Sequence, residues 1–284
     1  MTDKRQRHFK LGTTSFIFPD HILANVEKLG MYFDEIELLI FESRPDDVLP
    51  TKEDIRKLKV LSRELNVGYN IHLPYDVNMA GRSKSERQAA VDTHLKVMAL
   101  FDPLEPSTYT LHLHLPLDAK KHITGDFQII EPIIDPIINW QDRLHSSLCA
   151  FIPCIPAPEI ISVETLDYPF FLVEDLVSEW KLSVCLDVGH QIKYGFDLTK
   201  TFRHHGQKAS IIHLHGVDVL SEKRKDHVSL DRLPKNSWHK IKAILNGFHG
   251  IVSLEVFHLE TLNQSLKFLS EKYDAIPSSI PGDP

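Results

Sequence analysis

Histidine and acidic side chains recur in the sequence at the carboxyl ends of short apolar runs. Seven such runs end in, or just before, a residue of this kind: Glu42, His72, His112 with His114, Glu164, Asp187 with His190, His213 with His215, and Glu255. The chain holds 17 histidines in all, and many lie inside apolar stretches. Imidazole and carboxylate groups together are typical of metal-dependent catalysis.

A shared metal site is the chemistry that this set favours. A single histidine in an apolar strand is more often a core residue than a ligand, but seven matching positions favour a common site. Several carboxylates buried together are very costly without compensation, and divalent cations remove that cost. Imidazole with carboxylate suits zinc, manganese, iron or cobalt, whereas magnesium and calcium prefer oxygen ligands. Because no cysteine stands at these positions, we do not expect a structural zinc site.

Two of the runs carry histidines that alternate with leucine. His112 and His114 therefore share one face of their strand, and His213 and His215 share one face of theirs. In each pair we expect one histidine to bind metal, and the other to support it or to line the substrate pocket. The spacing does not decide which histidine of each pair binds the metal.

Eight apolar runs are predicted as β-strands, and each is followed by a segment with helical spacing of its apolar residues. The predicted strands are 10–16, 34–41, 68–73, 109–115, 160–165, 183–188, 210–214 and 251–257. The predicted helices are 20–29, 52–65, 83–101, 126–148, 171–180, 198–204, 237–245 and 259–271. Asp20 and Thr51 are expected to cap the first two helices.

Eight strand–helix units in a chain of 284 residues predict an α/β fold, a (β/α)8 TIM barrel. An open doubly wound sheet is the alternative, but the sequence lacks its G-x-G-x-x-G turn. We expect a single catalytic domain over 8–275 and a flexible tail over 276–284. The polar strand ends would then meet at the carboxyl-terminal mouth of the barrel, where active sites of such barrels lie.

The charge balance argues against nucleic acid as a ligand. The chain has 39 acidic and 32 basic side chains, a formal net charge of −7, whereas duplex-binding proteins usually carry a basic excess. The sequence has no signal-peptide pattern and no apolar run long enough to span a bilayer. We therefore expect a cytoplasmic protein with a small-molecule substrate and no membrane partner.

The order of these motifs resembles the xylose-isomerase-like barrel superfamily, which includes sugar isomerases, epimerases and apurinic endonucleases. The segment His72-Leu73-Pro74-Tyr75-Asp76-Val77-Asn78 is similar to the His-x-x-Tyr-x-x-Asn of the endonuclease branch, and Asp187-Val188-Gly189-His190 to its Asp-x-x-His. The resemblance implies a shared metal site that is extended to two or three divalent metals per chain. Its ligands would be His72, His114, Glu164, Asp187, His190, His213, Asp226, His227 and Glu255.

Two motifs depart from the apurinic endonucleases. His114-Leu115-Pro116 stands where His-Pro-Gly is usual, and Asp226 is adjacent to His227 where those enzymes space the two apart. The stretches 12–17, 34–39, 183–190 and 213–217 resemble instead the cobamide-remodelling phosphodiesterases of the superfamily. That resemblance implies hydrolysis of the phosphodiester in the nucleotide loop of a cobamide. The products would be a cobinamide-type corrinoid and a lower-ligand riboside, one of which keeps the phosphate.

Within this hypothesis, the role of each residue is assigned from its place at or near the barrel mouth. Glu164 is expected to bridge metals, and the catalytic residues would be Glu42, Glu164, Asp187 and Glu255. Substrate contacts are expected from Glu37, Glu42, Tyr75, Asn78, Arg82, His112 and His215. Further walls and donors would come from Phe16, Phe18, Tyr194, Arg203 and Phe257.

Three other functions remain open. A sugar or polyol-phosphate isomerase or epimerase would use one metal and a base that takes a proton next to a carbonyl. An apurinic-endonuclease-like hydrolase would share the multimetal site. A corrinoid-binding protein without activity would leave the clustered ionisable residues unexplained. The extra histidines favour a multimetal hydrolase.

Overall fold

Eight parallel strands close into a barrel in the computed structural model, which describes residues 7–40, 49–120, 134–221 and 224–282. The barrel strands are β1 (Lys10–Thr14), β2 (Glu35–Leu39), β3 (Gly68–His72), β4 (Tyr109–Leu111), β5 (Ile161–Glu164), β6 (Ser183–Asp187), β7 (Ala209–Leu214) and β10 (Ile251–Leu254). Neighbours in sequence are neighbours in the barrel, and β10 pairs with β1 to close it. The predicted (β/α)8 TIM barrel is confirmed.

Helices follow the strands on the outside of the barrel. They are α1 (Ile22–Leu29), α2 (Lys52–Leu65), α3 (Lys84–Phe101), α4 (Leu117–Lys120), α5 (Ile134–Phe151), α6 (Phe171–Glu179), α7 (Val188–Tyr194), α8 (Leu198–His205), α9 (Trp238–Asn246) and α10 (Leu259–Ser270). The short helices α4 and α7 are additional to the predicted ones. None of the helices in the described part of the chain combines the length and the apolar composition that a membrane span requires.

Side-chain caps begin two of the long helices. Thr51 forms a capping box with Asp54 at α2, and Ser83 forms one with Glu86 at α3. The expectation that Asp20 caps the first helix is wrong. His21 occupies the N-cap position without a side-chain cap, because the Asp20 carboxylate accepts a hydrogen bond from the His21 N–H instead.

A two-stranded antiparallel hairpin leaves the end of β7 and returns toward the barrel mouth. Its strands are β8 (Gly216–Asp218) and β9 (Lys225–Val228). Gly216 is needed there, because a Cβ at this position would lie 1.9 Å from the Ser229 carbonyl oxygen. The close approach of the two strands brings Asp226 and His227 beside the end of β6 and β7.

Residues 276–282 pack onto the last helix, whereas a flexible tail was expected over 276–284. Ile276 and Ile280 are buried and belong to the main hydrophobic core. Asn263 of α10 accepts a hydrogen bond from the Ile280 N–H, and its side-chain amide donates to the Ile280 carbonyl. The proline-rich composition of the segment concealed these two apolar anchors.

Replacing Ile280 with alanine is therefore expected to lower the free energy of unfolding by about 2 to 4 kcal/mol, because it removes a buried side chain from the core. Chemical denaturation measures the change. Ser279→Ala, at the exposed neighbouring position, is the matched control and should leave stability unchanged. Equal stability of Ile280→Ala and the unaltered protein would show that the tail is not anchored.

Candidate metal centre at the barrel mouth

The candidate site is built on the carboxyl ends of β5, β6, β7 and β10. The parallel register of the strands places Asp187 directly beside His213, and Glu164 beside Cys185. Asp187 also caps α7, since its Oδ1 accepts a hydrogen bond of 2.7 Å from the His190 N–H. The cap turns the chain so that His190 faces back over the mouth.

Glu164 lies at the centre of the site, with 1% of its surface exposed. Its Oε2 lies 2.7 Å from His112 Nε2 and 3.4 Å from His72 Nε2. Its Oε1 lies 3.3 Å from His190 Nδ1. One buried carboxylate is thus shared by imidazoles from three different βα units.

His213 lies between two further carboxylates. Its Nδ1 is 3.3 Å from Glu255 Oε2 and 3.7 Å from Glu164 Oε2. Its Nε2 is 3.0 Å from Oε1 of the buried Glu37, whose Oε2 accepts a hydrogen bond of 2.7 Å from Ser253 Oγ. Glu37 therefore lies beneath His213, inside the barrel, and not at the surface of the mouth.

His215 is held by the hairpin and faces Asp187. Its Nδ1 accepts a hydrogen bond of 3.0 Å from the His227 N–H. Its Nε2 then carries the proton and points at Asp187 Oδ1, 3.2 Å away. Gly189 permits this placement, because a Cβ there would lie 1.9 Å from the His215 ring.

Five overlapping donor groups, each a set of three side chains whose ligand atoms lie within 4.8 Å of one another, occur among the described residues. They are His72 with His112 and Glu164; Glu164 with Asp187 and His190; Glu164 with Cys185 and His213; Asp187 with His215 and Glu255; and His190 with His215 and His227. Neither His114 nor Asp226 belongs to a donor group among those residues.

Several donor atoms of these groups are buried without a hydrogen-bond partner, which fits them for cations. They are His112 Nδ1, His190 Nδ1, His213 Nδ1 and Nε2, and Glu255 Oε2. Buried polar atoms are normally paired, so a cluster of exceptions calls for an ion or a strong charge interaction. The imidazole and carboxylate donors match zinc, manganese, iron or cobalt.

The charges of the site are strongly coupled. Burial alone would raise the pKa of Glu164 and of Glu255. The charges of His112 and His213 at Glu164, and of His213 and His227 at Glu255, instead hold both pKa values well below the usual range. Burial would lower the pKa of His190, but Asp187 and Glu164 outweigh it and raise that pKa to about 10. The cluster therefore holds positive charge of its own, which a divalent cation would displace.

The structure distinguishes the two histidines that follow β4. His112 Nε2 contacts Glu164, whereas His114 Nε2 donates a hydrogen bond of 2.6 Å to the Tyr75 carbonyl. Burial lowers the pKa of His114 to about 4. Among the described residues His112, and not His114, therefore belongs to a donor group, whereas the resemblance implied His114 as the ligand.

The residues expected to contact substrate are dispersed. Tyr75 lines a pocket of about 250 Å³ beside His72 and His112. Asn78 and Arg82 line a separate, larger groove, and the Asn78 side chain accepts a hydrogen bond from the Ala80 N–H. Glu42 lies outside the described residues.

Four aromatic candidates and one arginine separate into those at the mouth and those away from it. Phe257 packs against His227, and Phe16 lies edge-on to Phe257. Tyr194 lies beside His190. Phe18 is instead buried in the core, and Arg203 lines a cavity with Ala209 and Gly250, at the starts of β7 and β10 and so at the opposite end of the barrel.

Two residues of the site were missed in the sequence. Cys185 lies buried in a donor group with Glu164 and His213, although no cysteine was expected there. Its position two residues before Asp187 on the same strand is the signal that could have found it. Lys193 forms an ion pair with Asp226, and only the fold brings the two together.

No family model matches the chain. A probable endonuclease 4 of Mycoplasmoides gallisepticum is 22% identical over 205 residues, which cover 71% of this chain and 64% of that protein. The chain therefore matches less than two thirds of the length of that relative.

Solved structures share the fold at low sequence identity. A D-tagatose 3-epimerase-like protein superposes with a TM-score of 0.70 at 18% identity, covering 92% of this chain and 96% of that one. Endonuclease IV from Thermus thermophilus superposes with a TM-score of 0.63 at 15% identity, covering 92% and 99%. A 3-keto-D-glucoside 4-epimerase from E. coli gives 0.64 at 12% identity, covering 93% and 98%. The fold is thus that of the xylose-isomerase-like TIM barrels.

Without metal, the protein is expected to lose stability as the pH rises from about 6.5 toward 10. An unfolded histidine releases its proton near pH 6.5, whereas folded His190 keeps its proton up to a pKa of about 10, so the folded state binds more protons in this range. Urea denaturation of chelated protein at pH 6.5, 8 and 9 measures the decline. His190→Gln should make it shallower, and a free energy of unfolding that rises over this range would contradict the charge assignment.

Proposed function

We propose that the chain is a metal-dependent phosphodiesterase that hydrolyses the phosphodiester in the nucleotide loop of a cobamide. The observation that carries the proposal is the continuity of the donor groups through Glu164. They extend from His72 and His112 on one side of the mouth to Asp187 and His190 on the other. A single divalent ion is satisfied by about four to six ligands, so this set suits more than one ion.

The side chains would have different roles at such a centre: bridging two cations, binding one cation, or orienting a ligand. Glu164 faces both halves of the cluster with its two oxygens, which suits it to bridge. His72 and His112 would hold one cation with it, and Asp187, His190, His213 and Glu255 would hold the other. Clustered divalent cations supply the positive charge that binds a phosphodiester, activate water and stabilise the leaving oxygen. Glu37 would orient His213 from beneath, and His215 would orient Asp187.

The hydrolysis itself adds water across one P–O bond. The products are a phosphate monoester and an alcohol, of which one contains the corrinoid and the other the lower-ligand riboside. Two of the matched proteins are named as endonucleases, a name for phosphodiester cleavage, which supports the reaction class.

The surroundings of the cluster favour a small, bulky substrate over duplex DNA. The net charge is −7, and duplex binding depends on many lysine and arginine contacts with phosphates. Aromatic rings at the mouth remain open to solvent, with Tyr75 47% and Phe16 43% exposed. Such rings provide apolar walls for a large flat ligand.

A sugar epimerase is the second candidate. The superposition on the D-tagatose 3-epimerase-like protein, with its TM-score of 0.70, favours it. Such an enzyme would need one cation held by Glu164, Asp187, His213 and Glu255, and the donors at His72 and His112 would have no part in it.

Product analysis tests the proposal directly. Adenosylated cobamides and divalent metal are incubated with the protein, and both products are identified by mass spectrometry. We expect a cobinamide-type corrinoid and a lower-ligand riboside, no reaction after chelation, and recovery when zinc or manganese is restored. Ketose sugars and an abasic-site duplex are run in parallel. Epimerised sugar or incised duplex, with cobamide recovered intact, would contradict the proposal.

Glu164→Gln and Asp187→Asn are each expected to reduce turnover by about 100-fold or more, because even residues that only support metal ligands cost about 10- to 100-fold when changed. Both variants should also bind less metal, which elemental analysis measures. Glu64→Gln, at an exposed position of α2, is the matched control. Turnover and metal content close to those of the unaltered protein in both site variants would show that the centre lies elsewhere.

A further inference from the structure

Asp226 was expected to bind metal, but its carboxylate is engaged by a lysine. One oxygen, Asp226 Oδ2, faces both imidazoles at this side of the mouth, 3.8 Å from His190 Nε2 and 4.0 Å from His227 Nε2. The same oxygen is bonded by Lys193 Nζ. The ammonium group therefore lies against the oxygen at which a cation shared with these two imidazoles would bind.

Lys193 is held in this position by the local fold. It follows His190 by three residues on α7, so the two side chains leave the same face of the helix. Arg224 of the segment before β9 donates a hydrogen bond to the Lys193 carbonyl and ties the helix end to the hairpin. The Lys193 ammonium also lies 5.3 Å from the centre of the Tyr194 ring.

Two of the three neighbouring imidazoles, those of His190 and His215, have other partners for the atoms that a third cation would need. His215 accepts from the His227 N–H and donates to Asp187, so it has no free nitrogen lone pair. If His190 binds a cation beside Glu164 through Nδ1, its Nε2 carries a proton and faces Asp226. Asp226 then serves as the carboxylate partner of His190, a common arrangement behind metal-binding histidines.

We infer that Lys193 takes the place of a divalent cation at Asp226, so that the mouth holds two cations beside Glu164 and not three. This inference rests on the proposed metal centre. The Lys193 ammonium and a divalent cation would repel each other strongly at one carboxylate oxygen. Lys193 is part of α7 and already lies against that oxygen. Asp226 is accordingly a positioning residue for His190 and not a ligand.

Metal counting tests the inference without reference to activity. The protein is loaded with excess Zn²⁺, passed through a desalting column, and analysed by inductively coupled plasma mass spectrometry. We expect two zinc ions per chain in the unaltered protein and three in Lys193→Met, because the variant frees Asp226 Oδ2 to bind a cation together with His227 Nε2, whose Nδ1 donates to the Glu255 carbonyl. Lys193→Arg keeps the positive charge and should bind two. The double variant Lys193→Met with Asp226→Asn should return to two.

A second lysine–aspartate pair provides the matched control. Lys120 bonds Asp167 at 2.5 Å, and neither residue belongs to a donor group among the described residues. Lys120→Met should leave the zinc content at two, so that a general loss of positive charge is separated from the specific effect. The single variant Asp226→Asn should also keep two zinc ions, which tests the inference even if Lys193→Met does not fold.

The outcomes separate this inference from the proposed function. Three zinc ions in the unaltered protein, or equal counts in that protein and folded Lys193→Met, would overturn the inference and leave a multimetal centre standing. Loss of one zinc ion in Asp226→Asn would overturn it as well. A protein that binds no zinc with any of the Glu164 donors would overturn the inference and the proposed function together.

Discussion

The burial of carboxylates at the barrel mouth is the constraint on which the rest of the site depends. Glu164, Asp187 and Glu255 are withdrawn from water together, and Glu37 lies beneath them. Anions in such surroundings are tolerated only when they are paired or bind metal. Each carboxylate accordingly faces at least one imidazole, and the imidazoles come from several strands, from the segments that follow them and from α7. The positions of the histidines follow from this need for compensating charge.

A few local features of the barrel bring the imidazoles to these carboxylates. Parallel register places the end of β6 beside β7, and the Asp187 cap turns α7 so that His190 returns over the mouth. Gly189 leaves room for the His215 ring, and the hairpin of β8 and β9 carries Asp226 and His227 back to it. The same hairpin brings Asp226 to Lys193, so the lysine ammonium neutralises the Asp226 carboxylate at the far side of the cluster.

The barrel and most of the site residues could be predicted because the carboxyl ends of the strands are recognisable in the sequence. Short apolar runs followed by helical spacing identify the strands, and parallel strands place their carboxyl ends together. The choice between His112 and His114 could not be predicted in this way. β4 ends at Leu111, so strand alternation no longer applies to the residues that follow, and His114 turns away to the Tyr75 carbonyl. Lys193 was missed for a different reason, since a lysine on a short helix gives no sign of a partner 33 residues away.

The barrel fold does not determine which reaction the site catalyses. Proteins named as endonucleases and as epimerases superpose on the same barrel, so the shape of the barrel alone does not select between them. The selection rests on how many cations the mouth holds and on which side chains neutralise the remaining charge. In the proposed centre, the donors at His72 and His112 would extend the site beyond one ion, and Lys193 would limit it at the opposite side.

The central claim is that Glu164 bridges divalent cations at the mouth. Anomalous X-ray scattering at the zinc edge, from crystals grown with Zn²⁺, tests it most directly. The account predicts two zinc peaks, each about 2.0–2.2 Å from a Glu164 carboxylate oxygen, with His112 on one and His190 on the other. Zinc peaks found only elsewhere, with Glu164 still hydrogen-bonded to His112, would contradict it.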